Sequence, residues 1–371
     1  MGAGSLGNIP VEVKRLGGSK VMIVTDPGLK RTGIVDRLEK ILVDAGYTVE
    51  LFGEVEPDPG YAIATKAAEY TKVAAADLII GVGGGSSLDI AKVAAVLVTN
   101  TKAVSAYFGI DMIPKPGLPL ILIPTTAGTG SEVTPIAILS DYEEKLKKGI
   151  VSPFLFPNTA ILDAELTLGL PASVTAATGM DALIHAVEAF TSKNATSMTD
   201  MLAIQAIRLI MRNIRTAFAA GSNLEARTKM LEGSLLAGMA FANAGVTAVH
   251  AFAYPIGAEF HIPHGVANSL MLAAVMEFNM LGNLPKFAAM ARAFGENING
   301  LSERQAATKA VDTLSVLAED LKIPARLGDF GVREEHVPAL AEGVMKVTRL
   351  LANNPRELTL ADAEAIYRKV L

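Results

Sequence analysis

Asp77-Leu78-Ile79-Ile80-Gly81-Val82-Gly83-Gly84-Gly85-Ser86-Ser87 is the stretch on which the reading of the fold turns. An apolar run enters a glycine turn, and residues 87–98 beyond it carry apolar side chains at spacings of three and four. The pattern is strand, turn, helix. Working outward, strand-like runs at Val21–Thr25, Thr48–Phe52 and Leu120–Ile123 alternate with helix-like stretches near 29–45 and 61–75. Alternation of this kind predicts parallel strands joined by right-handed helical crossovers, a doubly wound, Rossmann-like α/β domain. Pro135–Leu139 and Ala160–Asp163 read as later strands, with a hairpin around the charged segment Asp141–Lys148.

Beyond Pro171 the pattern changes. No alternating strand is evident from 173 to 371, and the segments near 173–191, 197–219, 223–243, 264–281, 302–321 and 359–370 read as helices rich in Ala and Met. The break at Leu168-Gly169-Leu170-Pro171 divides the chain into an α/β domain, 1–168, and an all-α domain, 169–371. The length of 371 residues agrees with two domains, because single cores rarely grow past ~250–300 residues.

Composition narrows the function. Half the residues are apolar and 19% are charged, which describes a well-buried globular protein. Thirty-three basic against 38 acidic residues, with no polybasic run, argue against nucleic-acid and membrane partners. Zero cysteines exclude disulfides, thiolate zinc sites, iron–sulfur ligation and thiol nucleophiles. No run approaches 18 apolar residues and residues 1–14 lack a signal-peptide core, so a cytoplasmic protein is expected.

Three loops at strand ends are cofactor candidates. At Gly83, Gly84, Gly85, Ser86 and Ser87, glycines let a backbone approach a phosphate while a helix N-terminus supplies N–H groups. The alternative is a tight turn with Ser86 or Ser87 as the helix N-cap. The run 124–134, with Thr125, Thr126 and Thr129, offers small hydroxyl and N–H donors, or is turn chemistry alone. Asp26, after the first clear strand, can accept from ribose hydroxyls or merely form a turn with Pro27 and Gly28.

The five histidines carry the second clue. His185, His250, His261 and His264 fall within 80 residues of the helical domain. Asp181 and His185 lie four apart among apolar neighbours, on one helical face, where a carboxylate needs a partner or a metal. Asp181, His185, His250 and His264 together suit a divalent ion such as Fe²⁺ or Zn²⁺. The alternative is that Asp181 and His185 bond only each other or backbone.

These motifs combine. Gly-Gly-Gly-Ser at 83–86 with Asp89, the run 124–134, Thr-Gly-Met-Asp-Ala-Leu-x-His-Ala-x-Glu at 178–188, and His250 through Pro263-His264-Gly265 occur in one order along the chain. In this the chain resembles the iron-dependent, group III alcohol dehydrogenases over essentially its whole length. The resemblance implies the dehydroquinate synthase-like architecture, with a nucleotide-binding α/β domain, a helical domain and catalysis in the cleft between them. It implies a homodimer acting on a small alcohol or aldehyde with NAD and Fe²⁺, or Zn²⁺, as cofactors. It makes Asp181, His185, His250 and His264 the metal ligands. It lays the dinucleotide along Gly83–Ser87 and Thr125–Thr129, with Asp26 on the adenosine ribose and Lys147, beside Lys148, as a cofactor-side lysine.

Three features stand out against the family pattern. Many family members carry a second histidine four residues after the one matched by His250, where this chain has Tyr254, so the tyrosine is expected to tune the pocket. His261, three before a ligand position, is either an outer partner of the metal or exposed. The turn at Gly2–Gly7 matches the one that follows a first strand in the family, a strand absent from this sequence. The rival readings are a zinc polyol (glycerol-type) dehydrogenase, a metal-free reductase of unsaturated keto acids, and a non-enzymatic nucleotide-binding protein. The intact ligand set disfavours the last two.

Overall fold

A computed structural model describes every residue except Glu143, Glu144 and Lys145. Two compact units result: Met1–Thr126 with Gly130–Gly169, and Ala127–Thr129 with Leu170–Leu371.

The first unit is built on β1 (Lys20–Val24), β2 (Thr48–Phe52), β3 (Leu78–Gly83), β5 (Leu120–Pro124) and β8 (Thr159–Ala160), in the order β2-β1-β3-β5-β8 and all parallel. Successive side chains point to opposite faces, and both faces are covered. Met22, Val24, Ile79 and Leu122 enter one core, while Val21, Ile23, Ile80 and Ile121 enter the other. That explains why β1, β3 and β5 read as apolar runs. From β1 the chain steps to β2 on one side and then crosses to β3 on the other. The carboxyl ends of β1 and β3 therefore flank a topological switch point, where such sheets bind ligands.

Helices α1 (Ile9–Arg15), α2 (Pro27–Lys30), α3 (Ile34–Asp44), α4 (Tyr61–Val73) and α5 (Gly85–Thr99) complete this unit with a three-stranded sheet. In that sheet β7 (Leu146–Val151) pairs with β4 (Gly109–Ile110) and antiparallel with β6 (Ile136–Asp141). The expected hairpin is thus present, although its residues 143–145 lie outside the described part. Three expectations are corrected. The stretch 29–45 is two helices, because Gly33 at φ 79° breaks it. Helix α5 begins at Gly85 with Gly84 as N-cap and no side-chain cap, so neither Ser86 nor Ser87 caps it. The strand expected at 160–163 pairs only at Thr159–Ala160, since Asp163 turns away to accept from the amides of Gly4 and Leu6, both at 3.0 Å.

Under α5 lies a buried polar knot. Lys92, fully buried, donates Nζ to the carbonyls of Thr134 (3.0 Å) and Ile136 (2.8 Å). Asp89 accepts from Ser131 Oγ at 2.5 Å and from the Ile138 amide at 2.9 Å. Glu132 is 1% exposed, and its Oε1 has no hydrogen-bond partner. Burial pushes its carboxyl up to about 7 and the Lys92 ammonium down to about 8.

The second unit is helical: α6 (Ala172–Thr191), α7 (Ser197–Ala219), α8 (Leu224–Ala244), α9 (Ala248–Phe260), α10 (His264–Met280), α11 (Leu284–Phe294), α12 (Glu303–Asp320), α13 (Val337–Lys346), α14 (Thr348–Leu351) and α15 (Leu360–Val370). Helix α6 packs on α7, α8 and α10, and its residues Gly179–Thr191 are buried without interruption. Helix α9 packs on α10 and α13. Four of these helices, α9, α11, α13 and α14, went unread in the sequence. The first is almost wholly apolar and carries Pro255, so it shows no amphipathic stripe, and the others are short. Among the described residues no single helix is long and apolar enough to cross a membrane.

Candidate functional site

The two candidate sites lie one in each unit. At the switch point of the first, Gly83 adopts φ 147°, and a Cβ there would meet Ser87 Oγ at 2.7 Å and Asp26 Oδ2 at 3.2 Å. Only glycine fits. The half-buried Asp26 uses its carboxylate twice: Oδ1 accepts from the Leu29 amide at 2.9 Å and caps α2, while Ser87 Oγ donates to Oδ2 at 3.3 Å. The turn-forming role and the approach to the glycine loop therefore coexist. Thr126 lies against Gly84, its side chain 3.8 Å from where a Cβ would stand, and the Thr125 amide donates to the Gly83 carbonyl at 2.9 Å. Three segments distant in sequence thus meet. Lys147 is placed otherwise, on β7, where it pairs with Asp58 at 2.6 Å.

In the second unit Asp181 and His185 project from α6, four residues apart, and His250 from the first turn of α9. His264 opens α10. Asp181, His250 and His264 each offer a ligand atom within 4.8 Å of the other two. His185 stands beside this group. Its Nδ1 lies 4.0 Å from Asp181 Oδ2 and 3.4 Å from the Gly128 carbonyl, and its ring stacks on His250 at 4.9 Å and on Phe241 at 4.3 Å. Thus the short segment 127–129, the tip of the threonine loop, packs with the helices that carry the ligands. Thr129 lies on that tip. Helix α10 is held close to α6 because Gly265 has no side chain: a Cβ there would stand 2.3 Å from the Ala177 carbonyl oxygen.

Burial opposes ionisation of Asp181, but the neighbouring His185, His264 and His250 hold it below the ordinary carboxylate range. Burial pushes His185 down, favouring the neutral imidazole that binds metals. One buried carboxylate and imidazole nitrogens, with no sulfur, fit Fe²⁺ or Zn²⁺.

Two residues escaped the sequence reading. Asn268, fully buried one turn beyond His264, donates Nδ2 to Asp181 Oδ1 at 2.9 Å, with His250 Nε2 and His264 Nε2 each at 3.2 Å. Glu188, fully buried on α6, hydrogen-bonds His250 Nδ1. Each was signalled by spacing, since Glu188 lies seven residues after Asp181 and Asn268 four after His264. His261 caps α9 in the left-handed region at φ 54° and is exposed, so it is not an outer partner of the ligand group. Tyr254 is half-buried, its ring 6.4 Å from that of His250 and 6.2 Å from that of His264.

Comparison with known proteins completes the picture. Residues 1–164 match the family described as iron-containing alcohol dehydrogenase, and residues 175–371 match the C-terminal part of the Fe-containing alcohol dehydrogenase family. The chain is 45% identical over 370 residues to long-chain-alcohol dehydrogenase 1 of Geobacillus thermodenitrificans, covering 99% of this chain and 93% of that one. The crystal structure of a 1,3-propanediol oxidoreductase superposes with a TM-score of 0.97 at 42% identity, covering 100% of this chain and 96% of the other. Sulfoacetaldehyde reductase from Bifidobacterium kashiwanohense, solved with NAD⁺, superposes with a TM-score of 0.91 at 30% identity, covering 99% and 95%.

Proposed function

Because the chain belongs to the iron-containing alcohol dehydrogenase family, an oxidoreductase family, we propose that it interconverts a small alcohol and its aldehyde or ketone with NAD and a divalent metal, iron first. The observation that carries this reading is the convergence of Asp181, His250 and His264, with His185 beside them. Residues 1–168 bind the dinucleotide and residues 169–371 hold the metal. The reading includes a cytoplasmic homodimer, in keeping with the family resemblance.

When bound, the metal supplies a Lewis acid for the substrate oxygen and the nicotinamide supplies the hydride chemistry. The chain's own residues do the rest. Asp181, His185, His250 and His264 are the ligands. Gly83, Gly84 and Gly85 admit a pyrophosphate to the N-terminus of α5, joined by Ser86, Ser87, Thr125, Thr126 and Thr129 as donors. Lys147 reaches a cofactor only by leaving Asp58.

Asp26 sets the choice of dinucleotide by placing negative charge where a 2′-phosphate would sit. Like charges at ~4 Å cost about 1 kcal/mol in water and several times that in a partly buried site. NAD is therefore preferred over NADP by about tenfold or more in kcat/KM. Asp26→Asn keeps an oxygen to cap α2 and removes the charge, so it should narrow the ratio. An unchanged ratio would reduce Asp26 to a turn former.

Tyr254 orients without accepting a proton. Desolvation pushes its phenol up to about 12, which makes it a poor base at neutral pH. Loss of one neutral hydrogen bond of ~1 kcal/mol lowers a rate about fivefold, against ~10²–10⁴-fold for lost acid–base catalysis. Tyr254→Phe should stay within about tenfold of the parent in kcat at neutral pH. A thousandfold loss with metal retained would make the tyrosine an essential proton-transfer group.

The whole reading is tested by a panel of alcohols, diols and aldehydes assayed with NAD and NADP. At least one pair should turn over with NAD; no turnover of any of them with the metal-loaded protein would sink it.

A further inference from the structure

Helix α9 begins without a cap of its own, since its N-cap residue Thr247 makes no side-chain bond to the helix. Donors at its start are met by side chains from other elements. Glu188 Oε1 accepts from the Thr247 amide at 3.0 Å, the Thr247 hydroxyl at 2.7 Å and the Val249 amide at 2.8 Å. The Ala248 amide donates to Asn354 Oδ1 at 3.3 Å. The other Glu188 oxygen, Oε2, is bonded to His250 Nδ1. One fully buried carboxylate therefore joins the start of a helix to a metal-ligand imidazole on that helix.

We infer that Glu188 is a positioning residue that caps α9 with one oxygen and, with the other, fixes His250 as the Nδ1–H tautomer. The argument is one of donors and acceptors. Asn268 Nδ2 only donates and lies 3.2 Å from His250 Nε2, so that nitrogen accepts and the ring proton belongs to Nδ1. Glu188 Oε1 already accepts from three donors, and Oε2 is the acceptor that faces Nδ1. A neutral imidazole protonated at Nδ1 carries its lone pair on Nε2, the nitrogen that lies 3.2 Å from Asn268 Nδ2 beside Asp181 and His264. The tautomer that suits the helix cap is also the one a cation requires.

The two duties can be separated by one isosteric change. In Glu188→Gln three donors still converge on the Oε1 position, so the amide oxygen must stay there. The amide nitrogen then faces His250 Nδ1 and can only donate. The imidazole is driven to the Nε2–H tautomer, which places a proton where the metal binds. Glu188→Gln should therefore keep the cap and invert the histidine, whereas Glu188→Ala loses both.

The experiment rests on the metal reading for one of its arms only. In chelator-stripped protein labelled with ¹⁵N-histidine, at a pH where His250 is neutral, the parent should show Nδ1 protonated and Glu188→Gln should show Nε2 protonated. Amide exchange at Thr247 and Val249 should be unchanged in Glu188→Gln and faster in Glu188→Ala. Zinc affinity by chelator competition should weaken about 10–100-fold in Glu188→Gln, as for other lost outer partners of metal histidines. A parent with Nε2 protonated overturns the inference whether or not any variant folds. So does a Glu188→Gln protein that keeps the parent tautomer. A parent that binds no zinc but shows the tautomer switch overturns the metal reading and upholds the role of Glu188.

Discussion

His264→Ala is expected to lose nearly all bound metal, whereas the parent purified anaerobically with iron holds close to one ion per chain. The reason lies in the donor set. Asp181, His250 and His264 offer ligand atoms within 4.8 Å of one another with His185 beside them, and removing His264 leaves a carboxylate and two imidazoles. Loss of an outer partner of a metal ligand costs ~10–100-fold in affinity, so loss of a ligand should cost more than about 100-fold. The fold should survive, because His264 stands at the start of α10 with its side chain 31% exposed and no apolar core atoms are deleted. Metal analysis by mass spectrometry, alongside thermal unfolding, reads both quantities. Full loading in His264→Ala would remove it from the ligand set. Which metal fills an isolated sample depends on supply, since a nitrogen-rich site holds zinc more tightly than ferrous iron.

Glu132→Gln should stabilise the protein at pH 8 and change it little at pH 5. Folding raises this carboxyl from 4.5 to about 7 by burying it. Between those values the unfolded chain releases a proton that the folded chain keeps. Native stability conferred by the protonated form is thus present below the unfolded value and is lost as pH rises toward 7. The gap corresponds to about 3 kcal/mol. Lys92, held at about 8, is partly supported by the Glu132 charge, so removing that charge returns some of the gain. A net increase of about 1–2 kcal/mol at pH 8 is expected. Urea unfolding at the two pH values checks it, and an equal effect at both would show that Glu132 is ionised throughout.

The α/β unit was legible because its strands are buried on both faces and carry unbroken apolar runs such as Leu78–Val82. Local backbone events were less so. Gly33 splits a helix and Asp163 ends a strand early, and both depend on contacts or dihedrals that a hydrophobic pattern does not encode. In the helical unit α6 was visible by length, while α9 was hidden by its lack of a polar face and by Pro255. Among the site residues, Asp181 and His185 declared themselves at four-residue spacing among apolar neighbours. His250 and His264 stood out as rare residue types and were joined to them by the family resemblance, and the fold brings both to Asp181. Glu188 was in view within the quoted motif, but its partners Thr247, Val249 and His250 are about sixty residues away. Its double use is a property of the fold alone.

The most direct test of the metal- and NAD-dependent reading is a titration. Chelator-stripped protein is given Fe²⁺ in steps under anaerobic conditions, and NADH formation from a panel of alcohols is followed against bound iron. The rate should rise in proportion to bound iron and level off at one ion per chain. Undiminished NADH formation by the stripped protein, or full loading with no NADH formed from any alcohol, would contradict the account.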